Sequence, residues 1–325
     1  MKKPSFEKFN YSLRPAKNIE RKMFCEAFAR LSRIAPLRLY RYIGFGANTF
    51  VDFTLFHQRL GITDMISIEG FDENKKQIEF NKRRIEFNKP YSCIKMKWGK
   101  SFEVLPKLQW NKRNIVWLDY DFQINKNILA DVRLAIAKMK SGSIVAATLD
   151  VDFDDDIVDE TTNDKRMNEL VDAVGEQKIP FGTKPVDLAG WGYAKICRNI
   201  FNNEIASALQ ARNGPNHAWQ HLKYEQLLNI HYADRAKMLT VGGILLSQED
   251  HKKLSFEDFE DLEFISNNES PYRIYAPVLT TREVRHLNSK LPNPNSNEPS
   301  WLPEDDRKKY GKVYRYYPAY TEVEM

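Results

Sequence analysis

The sequence predicts an α/β protein, a mostly parallel sheet of seven strands with helices on both faces. Three observations carry this expectation. Short apolar runs alternate with amphipathic stretches from about residue 39 to residue 149, the rhythm that βαβ units produce. The run over residues 115–119 is strongly apolar, as a strand buried on both faces would be. Two further strand-like runs, at 240–246 and 272–279, follow the fifth and bring the count to seven. If the last returns between the fifth and the sixth, one strand runs antiparallel to the rest.

Taken in order, a helix is expected over 18–31, where Ile19, Met23, Ala27 and Leu31 recur at four-residue steps behind Pro15. Strands are expected at 39–44, 65–69, 92–98, 115–119 and 143–149. Between them, helices are expected at 49–60, closed by Gly61, at 72–87, with Asp72 as N-cap, and at 128–139. After Asp150 the rhythm breaks into an acidic stretch punctuated by Gly and Pro. Helical periodicity returns at 205–212 and 217–237, and a short helix is expected at 281–291. A Pro/Asn-rich linker over 292–303 leads to a basic, aromatic tail at 310–320, whose tyrosines are expected to dock on the core rather than to stack on single-stranded nucleic acid. The expected organisation is a basic helical cap (1–38), a core (39–149 with 198–280), an acidic insertion (150–197) and a C-terminal helix and tail (281–325).

Composition narrows the classes. Of 325 residues, 42% are hydrophobic and 29% charged, which excludes a disordered or fibrous chain. No apolar stretch approaches the roughly 20 residues that span a bilayer, and the first residues lack the apolar core of a signal peptide. Cys25, Cys93 and Cys197 lie too far apart for a disulfide framework or a zinc knuckle, so a reducing cytoplasm fits best. The net charge of +5 conceals two opposed segments. Residues 1–42 hold eleven bases against three acids, and residues 150–172 hold ten acids against two bases. Cations before and within the first helix, Arg14, Lys17, Arg21 and Lys22, are candidates for contacting a phosphate-bearing partner, and Arg14 and Lys17 for binding a substrate.

The most informative stretch is Ile43-Gly44-Phe45-Gly46-Ala47-Asn48, a Gly-x-Gly turn between the first strand and the next helix. Such a turn lets backbone approach a ligand, and the helix N-terminus behind it offers free N–H groups. Glu69 ends the next strand, where a carboxylate can accept from both hydroxyls of a ribose. Asp119 and Asp121 end the fourth strand, at the sheet edge where open α/β folds bind ligands. Each is read either as a group beside a substrate or as a cap for the following loop. Asp150, Asp152, Asp154, Asp155 and Asp156 have the oxygen chemistry of a Mg²⁺ or Ca²⁺ site, but lack an ordered ligand motif, and no metal is expected. His217, His221 and Glu225 would share a face of the expected helix, with His231 beyond, and read as surface groups rather than zinc ligands.

In this order of elements the chain resembles the class I S-adenosylmethionine-dependent methyltransferase superfamily, in the manner of O-methyltransferase-like proteins, over residues 39–150 and, beyond them, 204–280. The resemblance implies a Rossmann-like core and S-adenosylmethionine as cofactor. It places Gly44, Gly46, Asn48, Glu69, Ser101 and Asp119 at the cofactor, Asp119 and Asp121 at the methyl-transfer site, and Arg14 and Lys17 toward the substrate. Three positions depart from the pattern. Tyr42 stands where the superfamily often carries an acid for the methionine amino group, Asn48 where a third glycine is common, and Lys100-Ser101 where an acid would meet the adenine. A dinucleotide oxidoreductase is disfavoured because Thr49 occupies the place of the third glycine. The implied function is methyl transfer to oxygen or nitrogen of a small-molecule or nucleic-acid acceptor. The alternative is a methyltransferase-like fold that binds nucleic acid or nucleotides with little or no catalysis. The chain lacks the Asn/Asp-Pro-Pro-Tyr/Phe signature of the amino-methylating DNA enzymes.

Overall fold

The first five strands, β1 (Arg41–Gly44), β2 (Asp64–Glu69), β3 (Ile94–Trp98), β4 (Asn114–Asp119) and β5 (Ser143–Asp150), lie parallel to one another in a computed structural model of the chain. The structure describes residues 14–71, 75–153, 160–214, 217–292, 299 and 301–319. Three more strands, β6 (Lys223–Ala233), β7 (Lys237–Leu246) and β8 (Tyr272–Ile274), complete one sheet in the order β3-β2-β1-β4-β5-β7-β6-β8. β7 is antiparallel to both its neighbours, and β8 pairs parallel with β6 at the edge.

Alternation along the central strands feeds two apolar layers. On β4, Val116 and Leu118 face one layer while Ile115 and Trp117 face the other. The first layer is covered by α5 (Lys126–Lys138) and α7 (Gly192–Asn213), with the end of α6 (Glu160–Val174). The second is covered by α1 (Pro15–Ala29) and α2 (Val51–Leu60). The remaining helices are α3 (Lys75–Asn88), the short α4 (Ser101–Val104) and α8 (Gln248–His251), α9 (Thr281–Asn288) and α10 (Glu304–Val313).

Local chemistry explains the helix ends. Gly61 closes α2 in the left-handed region, φ 65°, and its N–H donates to the His57 carbonyl at 3.1 Å. Asn125 caps α5, its side-chain oxygen accepting from Asn127 and Ile128. The helix α1 has no cap of its own. Its first N–H groups, on Ala16 and Lys17, donate to the Asp234 carboxylate at 2.9 and 3.1 Å, so the β6–β7 turn caps it from across the chain.

Several sequence expectations are corrected. Residues 217–237 are not a helix: a 3-10 turn at Ala218–Gln220 leads into β6. Leu228, Ile230 and Tyr232 have strand period, but a bulge between Gln226 and Leu228 sets Leu227 beside them and breaks the alternation. The sheet therefore has eight strands, not seven. The antiparallel strand between the fifth and the sixth is Lys237–Leu246, and the run expected over 272–279 is a three-residue edge strand. The acidic segment carries α6, and α7 runs through residues 197 and 198 without a break. Asp72 and Asp154–Asp156 lie outside the described residues.

The tail is docked. The Tyr316 hydroxyl donates to the Glu26 carboxylate, that of Tyr317 to the Pro277 carbonyl at 2.5 Å, and that of Tyr310 to Asn288 Oδ1 at 2.7 Å. Lys22 of α1 donates to the Tyr316 and Tyr317 carbonyls at 3.0 and 3.1 Å. Among the described residues no helix is long and apolar enough to cross a membrane.

Candidate active site

A cavity of about 570 Å³ opens at the carboxyl ends of β1, β2 and β4. It is walled by the Gly-x-Gly turn, Glu69, the segment 99–102, residues 119–122 and the inner face of α1. Parallel strands with crossover helices leave such a crevice where the strand order reverses, here between β1 and β4.

The turn and Glu69 form one unit. The Glu69 Oε1 atom accepts from the backbone N–H of Gly46 and of Ala47, both at 2.8 Å, and from the Ser67 hydroxyl at 3.0 Å. All three bonds end on Oε1, so the capacity of Oε2 is unspent. Burial pushes the Glu69 carboxyl up to about 7, against the pull of those donors. Gly46 must lack a side chain: a Cβ there would stand 2.5 Å from the Phe50 ring and 2.7 Å from Ser67 Oγ. The strain is carried by Ala47 and Phe50, both with φ near the left-handed value, 47° and 48°.

At the end of β4, Asp119 meets α1. Lys17, with its side chain fully buried, places Nζ 2.6 Å from Asp119 Oδ1 and 2.8 Å from Glu20 Oε2, and 4.3 Å above the Trp117 ring. Glu20 in turn accepts from Thr240, which bonds Thr148 at 2.8 Å. Burial works to raise the Asp119 carboxyl, but Lys17, then Arg14 and Arg21, hold it below the usual carboxylate range. Its side chain is 22% exposed and reaches the cavity. Asp121 is exposed on the rim.

The third wall holds Ser101, whose hydroxyl donates to Asp131 Oδ2 at 2.5 Å. Tyr120 donates to the same oxygen at 2.7 Å. The Ser101 oxygen keeps its acceptor capacity, while burial raises the Asp131 carboxyl.

A family described as "Putative O-methyltransferase" matches residues 9–325. The chain belongs to this family. Among solved structures, similarity extends to TomG, an O-methyltransferase of Streptomyces achromogenes solved with SAM (10% identity, 76% of this chain and 92% of that chain, TM-score 0.36). It also extends to cofactor-bound Rv0187 from MTB (12% identity, 67% and 79%, TM-score 0.33). A third is the SAH-bound Podospora anserina methyltransferase PaMTH1 (9% identity, 62% and 70%, TM-score 0.29). None of the curated proteins matches the chain.

In this member of the O-methyltransferase family, the structure gathers Gly46, Glu69, Ser101, Asp119, Asp121 and Arg14 around one cavity. It does not bring the remaining expected residues to that surface. Lys17 lies beneath it, because its ammonium is spent on Asp119 and Glu20. Gly44 is a packing glycine, where a Cβ would sit 2.6 Å from the Tyr42 hydroxyl. The Asn48 amide is buried behind the turn, with neither polar atom bonded to a described residue. The histidines do not assemble either: Glu225 pairs with His251 at 2.8 Å, and His231 stacks on Trp191 at 4.7 Å. No group of three metal-ligating side chains occurs among the described residues. Sequence reading missed Asp52 and took Arg21 for a contact to a phosphate-bearing partner; both line the cavity. Nothing in one dimension sets the two on one wall.

Proposed function

We propose that the chain is an S-adenosylmethionine-dependent methyltransferase acting on an oxygen of a small-molecule acceptor. The observation that carries this reading is Glu69: a carboxylate at the end of β2, clamped through one oxygen to the Gly46–Ala47 amides, with the other oxygen open to receive ribose hydroxyls. The cavity is of the size that takes a drug-sized ligand, and its acceptors suit a nucleoside. In this reading the Gly46 turn lies along the cofactor, and Ser101 Oγ accepts from the adenine amine. When bound, the cofactor supplies an electrophilic methyl group on a sulfonium.

The protein contributes alignment and electrostatics. Asp119, held as an anion by Lys17 at the cavity wall, would offset the positive charge of a bound cofactor. Asp121, two residues further along and exposed on the rim, is the carboxylate placed to take the proton of an acceptor hydroxyl. Phe45, Tyr120 and Phe122 line the same mouth, which favours an acceptor with an apolar or aromatic body. Lys17 and Arg21 are buried and Lys22 serves the tail, so these three cations support a small-molecule acceptor rather than a nucleic acid.

Calorimetric titration with S-adenosylhomocysteine tests the assignment. The wild type is expected to bind, and Glu69→Ala to bind at least about tenfold more weakly, the cost of removing a charged hydrogen-bond acceptor. No binding by wild type, or equal binding by Glu69→Ala, would overturn it.

A further inference from the structure

We propose that Asp52 and Arg21 form the seat for the amino-acid end of the cofactor, Asp52 taking its ammonium group and Arg21 its carboxylate. The inference rests on the cofactor reading above and extends it to two cavity residues that the cofactor reading does not use.

If Glu69 receives the ribose and Ser101 the adenine, the cofactor's amino-acid end must lie away from Ser101. The wall left for it is made by the start of α2 and the inner face of α1. Asp52, in the first turn of α2, and Arg21, in the middle of α1, both line the cavity there. They are buried, at 8% and 5% exposure. Of the charged groups around Asp52, Arg21 acts on it most strongly, opposing the rise that burial imposes on its carboxyl. Both charges are buried at the wall of one cavity, and a ligand that carries an ammonium and a carboxylate a few ångströms apart can meet an opposite charge at each.

The position of Asp52 is also controlled. The Tyr42 hydroxyl, fully buried on β1, donates to Asp52 Oδ2 and so holds the carboxylate at the cavity wall. The first turn of a helix favours a carboxylate through its unpaired N–H groups. Tyr42 stands two residues before Gly44, where the superfamily often has an acid. The structure shows that the hydroxyl there carries a carboxylate supplied by the next helix. Tyr42 is therefore a positioning residue, and Asp52 the group that meets the ligand. Asp119 is the competing acid, paired with the Lys17 ammonium and assigned above to the sulfonium charge.

Four ligands separate the two charges: S-adenosylhomocysteine, its decarboxylated analogue (ammonium only), its deaminated analogue (carboxylate only) and 5′-methylthioadenosine (neither). Calorimetric affinities are measured for wild type, Asp52→Asn, Arg21→Gln, Tyr42→Phe and Asp119→Asn. Asp52→Asn is expected to weaken the two ammonium-bearing ligands about 10- to 100-fold and to leave the other two within about twofold. Arg21→Gln should show the same loss for the two carboxylate-bearing ligands, with Arg21→Lys restoring part of it. Tyr42→Phe should repeat the Asp52→Asn pattern at a few-fold. Equal loss for all four ligands, no loss for any, or an ammonium-specific loss in Asp119→Asn instead would overturn the proposal. A wild type that binds none of the four refutes the cofactor reading itself. A wild type that binds 5′-methylthioadenosine as tightly as S-adenosylhomocysteine refutes only the seat.

Discussion

Glu69 is under two opposed demands. Burial favours its neutral form and pushes the carboxyl up to about 7, while the Gly46 and Ala47 amides favour the anion. Because the folded value lies above the ordinary 4.5, proton uptake favours the fold. That contribution is complete below about 4.5 and is lost as the pH rises through 7. Glu69→Gln keeps an oxygen for the two amides and removes the ionisation. The ligand-free variant is expected to melt above wild type at pH 8 and to lose that advantage at pH 5, by scanning calorimetry. A constant difference across this range would refute the pH assignment. The same variant should bind S-adenosylhomocysteine more weakly, so stability and binding move in opposite directions at one carboxyl.

The helix α1 is fastened by charge as much as by apolar contact. Ile19, Met23, Phe24 and Phe28 enter the layer around Trp117, and the Lys17 ammonium sits between two carboxylates beneath them. Lys17→Met strands Asp119 and the fully buried Glu20, and is expected to cost about 3–5 kcal/mol in urea unfolding. Adding Glu20→Leu should recover part of that loss, because one uncompensated charge goes with it; a double variant less stable than the single would contradict this account. Asp234→Ala removes the acceptor for the first two N–H groups of α1 and should cost about 1–2 kcal/mol. Since α1 walls the cavity, the same loss should appear as weaker cofactor binding.

Across the fold, the C-terminal segment holds α1 from outside. Tyr316 and Arg315 bond Glu26, and the tail carbonyls receive Lys22. Among the described residues, none after Met238 lines this cavity. Deleting residues 310–325 is nonetheless expected to lower the melting temperature and to weaken S-adenosylhomocysteine binding severalfold, through the loosened helix. Unchanged affinity in a truncated protein of lower melting temperature would show that α1 is held without the tail. The basic charge of the first 42 residues is also partly absorbed within the fold. Arg30 and Arg33 pair with Asp261 and Asp258, Lys17 with Asp119 at the cavity, and Arg14 with Asp234 of the β6–β7 turn.

The local rhythm of apolar residues determined the five βα units, the class of the sheet and the edge at which the cavity opens. Those patterns depend on neighbours a few residues apart, and Gly46, Glu69 and Asp119 could be read from them. The β6–β7 hairpin could not, because one bulge disrupts the alternation and four-residue spacings across His217, His221 and Glu225 imitate a helix. The roles around the cavity were less legible still. Lys17 was expected toward the substrate and is a buried counter-ion; Asp52 carries no signal in the sequence and lines the cavity with Arg21. Whether a charged side chain is solvated, paired or aimed at a ligand depends on groups that are distant in the chain. Lys17 meets Asp119 across 102 positions, and Asp234 reaches back 218 to cap α1. Only the packing of α1 against the sheet brings these groups within bonding distance.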